Sequence, residues 1–590
     1  MTDPTPPDAP ARRNSGESSS TAGTPTAELD FSLTIPSPFS EEMGPYRLHR
    51  DNFQWREVSP DCHRRGLWGG EMYQERRAHG TGRADDMITG TLLQIPHTLD
   101  PEKFIDLFTL ACIHLRFRFP ILAVTIELGL LPIPILPSLV YHTTDYAGIE
   151  AWANEAVVVH RPSTAEEKLQ SIEERAEIVR SQLTLQPLDV ARCAKVTHLV
   201  LSGNGDQVAV LVYSAHAISD AHTELLVLRK ELELINELVQ APYPLPRTHA
   251  LHPAQLAWGE EVSRLPPCLH ELYGVDIAAF EPAKGLATSG KLLRGYALSL
   301  DTGREHGDGL CPTHHTLVVL SPEESRSVYR AAKSQGWTVT HAVDAARHMA
   351  YMEMRRDYLE ENRGKPIRET LHTNFLMPVD GRRRFVGPFA GKEFAGNATS
   401  GFVTIMPLHE PDFVPADVER KTYFWRKTRD LNQVQVFCKV ADKLVHMYRE
   451  ADKEFIDTVE GITPLLMMGN LLSPDYPPHD LAPEGFSSVG ILERILPNEH
   501  KLAGHAAPIR VLDWFVGLTM TRHIFSLQFS MHMWSFREQT HLSVIHSSHF
   551  SQAYTKKFLD FIKSTLLLFA EAYDPEAQTP PHLLDSCTCM

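Results

Sequence analysis

The stretch AKVTHLVLSGNGDQVAVLVYSAHAISDAHTELLVLRKELELINELV, residues 194–239, constrains the fold more than any other. Residues 194–202 and 207–213 are rich in Val and Leu and flank Gly203-Asn204-Gly205-Asp206, the composition of a tight hairpin turn. After Asp220, the residues Leu225, Leu228, Leu232 and Ile235 recur at spacings of three and four, the period of an amphipathic helix. Two strands followed by a helix need a sheet with a helix laid on it, so an α/β fold is expected. The loop between the second strand and the helix carries His216 and, four residues on, Asp220.

Similar alternation runs through both halves. Phe104, Leu107, Phe108, Ala111 and Leu115 have helical spacing up to Pro120, which stops the helix, and a strand is expected at 121–126. In the second half a strand at 316–320 precedes a helix opened by Ser321-Pro322-Glu323 and closed near Gly336, with another helix from about Thr340. Strand-like or helical segments follow at 402, 416–450, 487, 523 and 541, and a closing helix at 551–572. At 590 residues the chain is too long for one ordinary domain. The expected division is a disordered tail at 1–40, a first lobe at 41–250, a Pro-rich crossover at 251–300, a second lobe at 301–575 and a flexible tail at 576–590.

Composition removes several classes of function. A net charge of −17 argues against nucleic-acid binding, which needs a basic face for the phosphates. The apolar run at 119–141 holds Glu127 and three prolines, Pro132, Pro134 and Pro137, which speaks against a membrane span. The N-terminal tail lacks the apolar segment of a secretory signal, and the eight cysteines are scattered without metal-ligand spacing, so a reduced cytoplasmic protein is expected. The sequon Asn397-Ala398-Thr399 is then expected to stay unglycosylated. At the C-terminus, Cys587 sits as in a prenylation box, but Thr588 and Cys589 are not aliphatic and no basic run precedes them, so an unmodified end is expected.

A lone histidine among the chain's 30 is ordinarily a packed or surface imidazole. His216 differs by position, since a side chain just past a buried strand is held rigidly and still faces a cleft. Imidazole, titrating near ~6.5, takes a proton from an alcohol and returns it within one turnover. Metal ligation by His216, Asp220 and His222 is disfavoured, because Asp220 and His222 would point about 200° apart on the first turn of a helix. GPFAGK at 387–392 has one residue too few between its glycines for a phosphate-binding loop and is followed by Glu393, which removes a nucleotide triphosphatase.

The order of segments resembles the acyl-CoA-dependent acyltransferases of the chloramphenicol acetyltransferase, BAHD and condensation-domain superfamily, and within it the fungal trichothecene 15-O-acetyltransferase type. LDPEKF…RFRFPILAVTI is similar to the family's first helix and strand entry, and SAHAISD matches its H-x-x-x-D. PVDGRRR with the downstream Gly396-Asn397 is similar to its "v-x-G-R" strand and "G-N" loop. LDWFVG at 512–517 falls where BAHD enzymes carry D-F-G-W-G, though without the first Gly.

The resemblance implies two lobes with an active-site channel between them and His216 as general base on an acceptor hydroxyl. It implies acyl-CoA (acetyl-CoA) as co-substrate, with no bound cofactor and no metal. Asp220 is implied to turn away from substrate and pair with Arg382; the competing reading makes Arg382, Arg383 and Arg384 one solvated basic run. An oxyanion hydroxyl is implied at Ser487 or Ser488, of which strand alternation lets only one face the channel. Asp513 and Gly517 are implied to be structural. The expected activity is O-acylation, most simply O-acetylation, of a small secondary metabolite such as a terpenoid alcohol by a monomer. A non-catalytic scaffold and an amide-forming condensation-type enzyme are the alternatives. Condensation domains carry two consecutive histidines and a Gly after the Asp, where this chain has Ala215 and Ala221.

Overall fold

The computed structural model describes residues 49–80, 82–127, 137–276, 296–297, 310–354, 371–407, 431–453, 484–521 and 529–574. Both expected tails, including Cys587, lie outside these residues, as do the loop at 128–136, the connection at 277–295 and the helical segment expected at 416–430. The hairpin forms where its turn residues place it: Lys195–Leu201 pairs antiparallel with Gln207–Ser214. Leu199, Leu201, Val208 and Val210 fall in one core cluster, while Val200, Ala209, Leu211 and Tyr213 fall in another. These strands are therefore buried on both faces, which is why they read as continuous apolar runs.

The first sheet has the order Glu499–His500, Ile509–Leu518, Met87–Gln94, Gln207–Ser214, Lys195–Leu201, Val157–His160. Helices Pro101–Arg118 and Ala221–Leu238 cover one face through Phe104, Phe108, Leu225, Leu232 and Ile235. Helix Ile172–Leu183 covers the other through Ile172, Ala176 and Val179. Asp100 opens the Pro101–Arg118 helix by accepting the Glu102 and Lys103 N–H groups at 2.9 and 3.0 Å. The strand expected at 121–126 is shorter than the sequence suggests: Pro120–Ala123 is a 3-10 turn and only Thr125–Glu127 is extended. Proline's fixed φ suits the first position of such a turn, and the apolar side chains that suggested a strand are satisfied by burial in the turn itself.

The second sheet runs Thr313–Val319, Gln539–Ser547, Phe529–Phe536, Glu484–Ile491, Leu371–Asp380, Thr399–Pro407. Helices Pro322–Ser334, Val339–Met354, Leu431–Lys453 and Gln552–Tyr573 share one core with it, built around Val328, Met349, Phe437, Phe558 and Met531. Ser321 and Glu324 form the capping box at the start of the first of these helices. Strands Glu499–His500 and Ile509–Leu518 come from the segment expected in the second lobe, yet they complete the first sheet by pairing along Met87–Gln94. A small antiparallel sheet, Arg56–Ser59, Cys62–Gly66, Ser138–His142, Thr125–Glu127, takes up both ends of the apolar run at 119–141. Among the described residues no helix is long and apolar enough to cross a membrane.

Candidate active site

His216 stands just past the Gln207–Ser214 strand in a loop tied down on several sides. The Ala215 N–H donates to the Ala194 carbonyl at 2.8 Å and the Ile218 N–H to the Ala215 carbonyl at 3.0 Å. The His216 N–H donates to the buried Asp86 carboxyl, and Asn397 Nδ2 donates to the His216 carbonyl at 2.7 Å. The imidazole Nδ1 lies 2.9 Å from the Ser219 carbonyl oxygen. A carbonyl only accepts, so Nδ1 carries the hydrogen and Nε2 is left as the basic nitrogen. The ring lines a cavity of about 100 Å³ walled by both sheets, through Met87, Val516 and Leu518 of the first and Gly485, Ser487 and His532 of the second.

Asp220 is the N-cap of the Ala221–Leu238 helix, with Oδ1 accepting the Thr223 N–H at 2.8 Å. Arg382 Nη2 also donates to Oδ1 at 2.8 Å, while Oδ2 accepts the Ala398 N–H at 2.9 Å and the Thr399 hydroxyl at 3.3 Å. Burial pushes this carboxyl upward, but the Arg382 charge and hydrogen bond override it and hold Asp220 well below the usual carboxylate range. Arg382 in turn donates to Thr223 Oγ1 at 2.6 Å, the Gly396 carbonyl at 2.7 Å and Asp380 Oδ1 at 2.8 Å. Its side chain is 16% exposed against 69% for Arg383. The arginine run therefore divides: Arg382 faces inward, and Arg383 and Arg384 both pair with Asp452. The Gly396-Asn397 loop supplies contacts to both Arg382 and His216, and Asn397 is 2% exposed, which puts the sequon's amide in the interior.

Both candidate serines line the cavity, but their hydroxyls are placed differently. Ser488 Oγ is 3.0 Å from Thr340 Oγ1 and also lines a wider neighbouring cleft. Ser487 registers with His532 and Gly485 with Ser530 across the parallel strand pair, so these four share the face toward His216. Asp513 sits beside a bulge in the Ile509–Leu518 strand and accepts the Trp514 N–H at 2.8 Å. A Cβ on Gly517 would come within 3.0 Å of the Ile88 carbonyl oxygen. Neither Asp513 nor Gly517 lines the cavity, whereas Val516 and Leu518 beside Gly517 do. His222 reaches Asp380 Oδ2 at 3.5 Å and the Val489 carbonyl at 3.3 Å. Among the described residues no three His, Cys, Asp or Glu side chains gather as a metal site.

The lining residues not singled out from sequence include Gln74, Arg77, Asp85 and His532. His532 is 6% exposed, and burial pushes its imidazole down to about 3, so it stays neutral at ordinary pH. Alternation along FSMHMW puts Ser530 and His532 on one face, a signal that becomes readable once the neighbouring strand is known. Gln74, Arg77 and Asp85 come from helix Gly70–Gly80 and the loop after it. That loop is held by Arg83, whose guanidinium meets Asp86 Oδ2 at 2.8 Å and Glu75 Oε1 at 2.6 Å. Burial pushes Glu75 up to about 7 and Asp86 up to about 6, against the opposing pull of Arg83.

No family model matches the chain, and no curated protein sequence matches it significantly. Solved structures do. The TRI3 trichothecene 15-O-acetyltransferase from Fusarium sporotrichioides matches with a TM-score of 0.69 and 18% identity over 88% of this chain and 98% of that one. The first condensation domain of the calcium-dependent antibiotic synthetase, in complex with a substrate analogue, gives a TM-score of 0.51 at 13% identity over 88% and 99% of the two chains. The starter condensation domain of rhizomide synthetase RzmA, in complex with C8-CoA, gives 0.52 at 9% identity over 87% and 96%. The chain therefore has the two-lobed, chloramphenicol-acetyltransferase-like fold of acyltransferases and condensation domains.

Proposed function

We propose that this protein is an acyl-CoA-dependent O-acyltransferase that acylates a hydroxyl of a small secondary metabolite such as a terpenoid alcohol, with His216 as general base. The observation that carries this reading is the tautomer: Nδ1 is committed to the Ser219 carbonyl, and the ring lines a cavity walled by both lobes. His216 Nε2 takes the acceptor's hydroxyl proton as its oxygen attacks the thioester carbonyl. The tetrahedral oxyanion then collapses, the C–S bond breaks, and the imidazolium returns the proton to the departing thiolate. Transfer is direct, without an acyl-enzyme. The Ser487 hydroxyl is the oxyanion donor in this reading, because it shares the His216-facing side with His532 while Ser488 is engaged by Thr340.

The acetyltransferase and the C8-CoA complex among the structural neighbours support an acyl-CoA donor in this fold. So does the geometry: the cavity shares Pro378, Val379, Asp380 and Ser488 with a cleft of about 940 Å³, room for a donor that extends well beyond the reacting thioester. Asp220 and Arg382 fix the loop and do not touch substrate. The described cysteines are all free thiols, which supports a reduced cytoplasmic setting, and one chain supplies both walls of the site, which supports a working monomer. The test is an acetyl-CoA hydrolysis and transfer assay over a panel of alcohols, read by mass. His216→Ala is expected to lower turnover by about 10²- to 10⁴-fold while leaving the fold intact. A near-normal rate in that variant ends the mechanism.

A further inference from the structure

One wall of the His216 cavity holds a buried carboxylate that the transfer mechanism does not use. Asp85 is 2% exposed and lines the cavity with His216, but not the wider cleft. Its backbone lies in the left-handed region, φ 69°, two residues after Arg83 at φ 75°, and the loop is clamped there. The Asp85 N–H donates to the Thr519 carbonyl at 2.8 Å, and Thr519 Oγ1 donates to the Arg83 carbonyl at 2.7 Å. A clamped, strained backbone fixes where the carboxylate sits.

Neither Asp85 oxygen accepts a hydrogen bond among the described residues; Arg77 Nη2 stands 2.8 Å from Oδ2 as an ion pair without hydrogen-bond alignment. On the same wall Gln74 Oε1 is also buried without a donor. Leaving a buried acceptor unsatisfied is costly, and more so for a charged one, so two such side chains on one cavity wall mark a surface shaped for a ligand's donors. Balancing Arg77 explains why a carboxylate is present, but not why a second oxygen and a neighbouring amide oxygen face the cavity unfilled. A negative group on this wall repels the phosphates of a CoA donor and suits a neutral, hydroxyl-bearing molecule.

Resting on the acyltransferase reading, we infer that Asp85 and Gln74 form an acceptor-recognition subsite that binds a second hydroxyl of the alcohol being acylated, so that the acceptor class is a polyhydroxylated rather than a monohydric alcohol. The second hydroxyl donates to the carboxylate while the first is presented to His216. Because the group bound is not the one that reacts, Asp85 acts as a specificity determinant. It takes no proton in the reaction.

The experiment supplies acetyl-CoA and a panel of rigid carbocyclic alcohols, each as the mono-ol, the diol and the diol's monomethyl ether, to the wild type, Asp85→Gly and Gln74→Met. Glycine tolerates the positive φ at position 85, and the methionine leaves Arg77 untouched. The wild type is expected to prefer diols over both partners by about 10- to 100-fold in kcat/KM. Asp85→Gly is expected to bring that ratio within about twofold, and Gln74→Met to lower it several-fold. Each figure is a ratio from one preparation, so a smaller folded fraction cancels. A preference kept by either variant that folds, or a wild type without the preference, overturns the subsite. If the wild type shows no His216-dependent hydrolysis or transfer at all, the acyltransferase reading itself fails; if it shows that activity without favouring diols, only the subsite does.

Discussion

Asp220 and Asp85 stand in the same cavity as His216, at 5% and 2% exposure, and each faces one arginine. Their surroundings diverge from there. Asp220 accepts from Thr223, Arg382, Ala398 and Thr399, whereas Asp85 has the charge of Arg77 alongside it and no hydrogen bond among the described residues. The contrast shows in the direction of titration: Asp220 is held low against burial, and Asp85 is raised by burial despite Arg77 and His216. A saturated carboxylate is architecture, because a ligand gains nothing by approaching it. An unsaturated one at equal depth is a place where binding energy is still to be collected.

The sharpest way to break this comparison is Asp220→Asn, which removes the charge facing Arg382 and is expected to cost about 3–5 kcal/mol in denaturant unfolding. Because the folded carboxyl titrates below its ordinary 3.8, its contribution is fully present above that value and is lost as pH falls through the lower folded one. The gap between variant and wild type should therefore persist from neutral pH to about pH 4 and narrow below it. An equal stability for the two at pH 7 would place Asp220 outside the architecture.

A second test compares the neighbouring serines. Ser487→Ala is expected to lower kcat by about 10²- to 10³-fold, the usual effect of losing one oxyanion donor, while Ser488→Ala stays within a few-fold. The reverse order would assign the channel face to Ser488. The smallest effect is expected from a strong chelator: incubation and reassay should leave activity unchanged, since Asp220 is spent on backbone and arginine and His222 on Asp380 and Val489. Activity abolished and then restored by zinc would reopen both residues as ligands.

What the sequence disclosed follows the same divide. The Asp220 wall is built from local signals: a Gly-Asn-Gly-Asp turn, a capping Asp and a helix of clear period, all within residues 194–238. Arg382 and Asn397 came within reach through the resemblance, and their contacts with Asp220 and His216 span more than 160 residues of chain. The Asp85 wall left no such trace. MYQERRAHGTGRADD has the look of a solvated charged segment, because nothing in a linear pattern says that Arg83 will be matched by Glu75 and Asp86 in the interior. MITGTLLQ at 87–94 shows no alternation, since a central strand covered on both faces needs none. Its partnership with Ile509–Leu518 is a pairing across more than 400 residues that no local rule anticipates.

That last pairing also bears on how the two ends of the chain are held together. A hinge needs two bodies joined by a thin, compliant connection, and here the later part of the chain is stitched into the earlier part's sheet from Met87 to Leu93 and back along Val511 to Leu518. The ladder lies within one wall of the cavity, and its strands contribute Met87, Val516 and Leu518 to the lining. That wall is accordingly a fixed gauge, set by the weave of a sheet that joins the two ends of the chain.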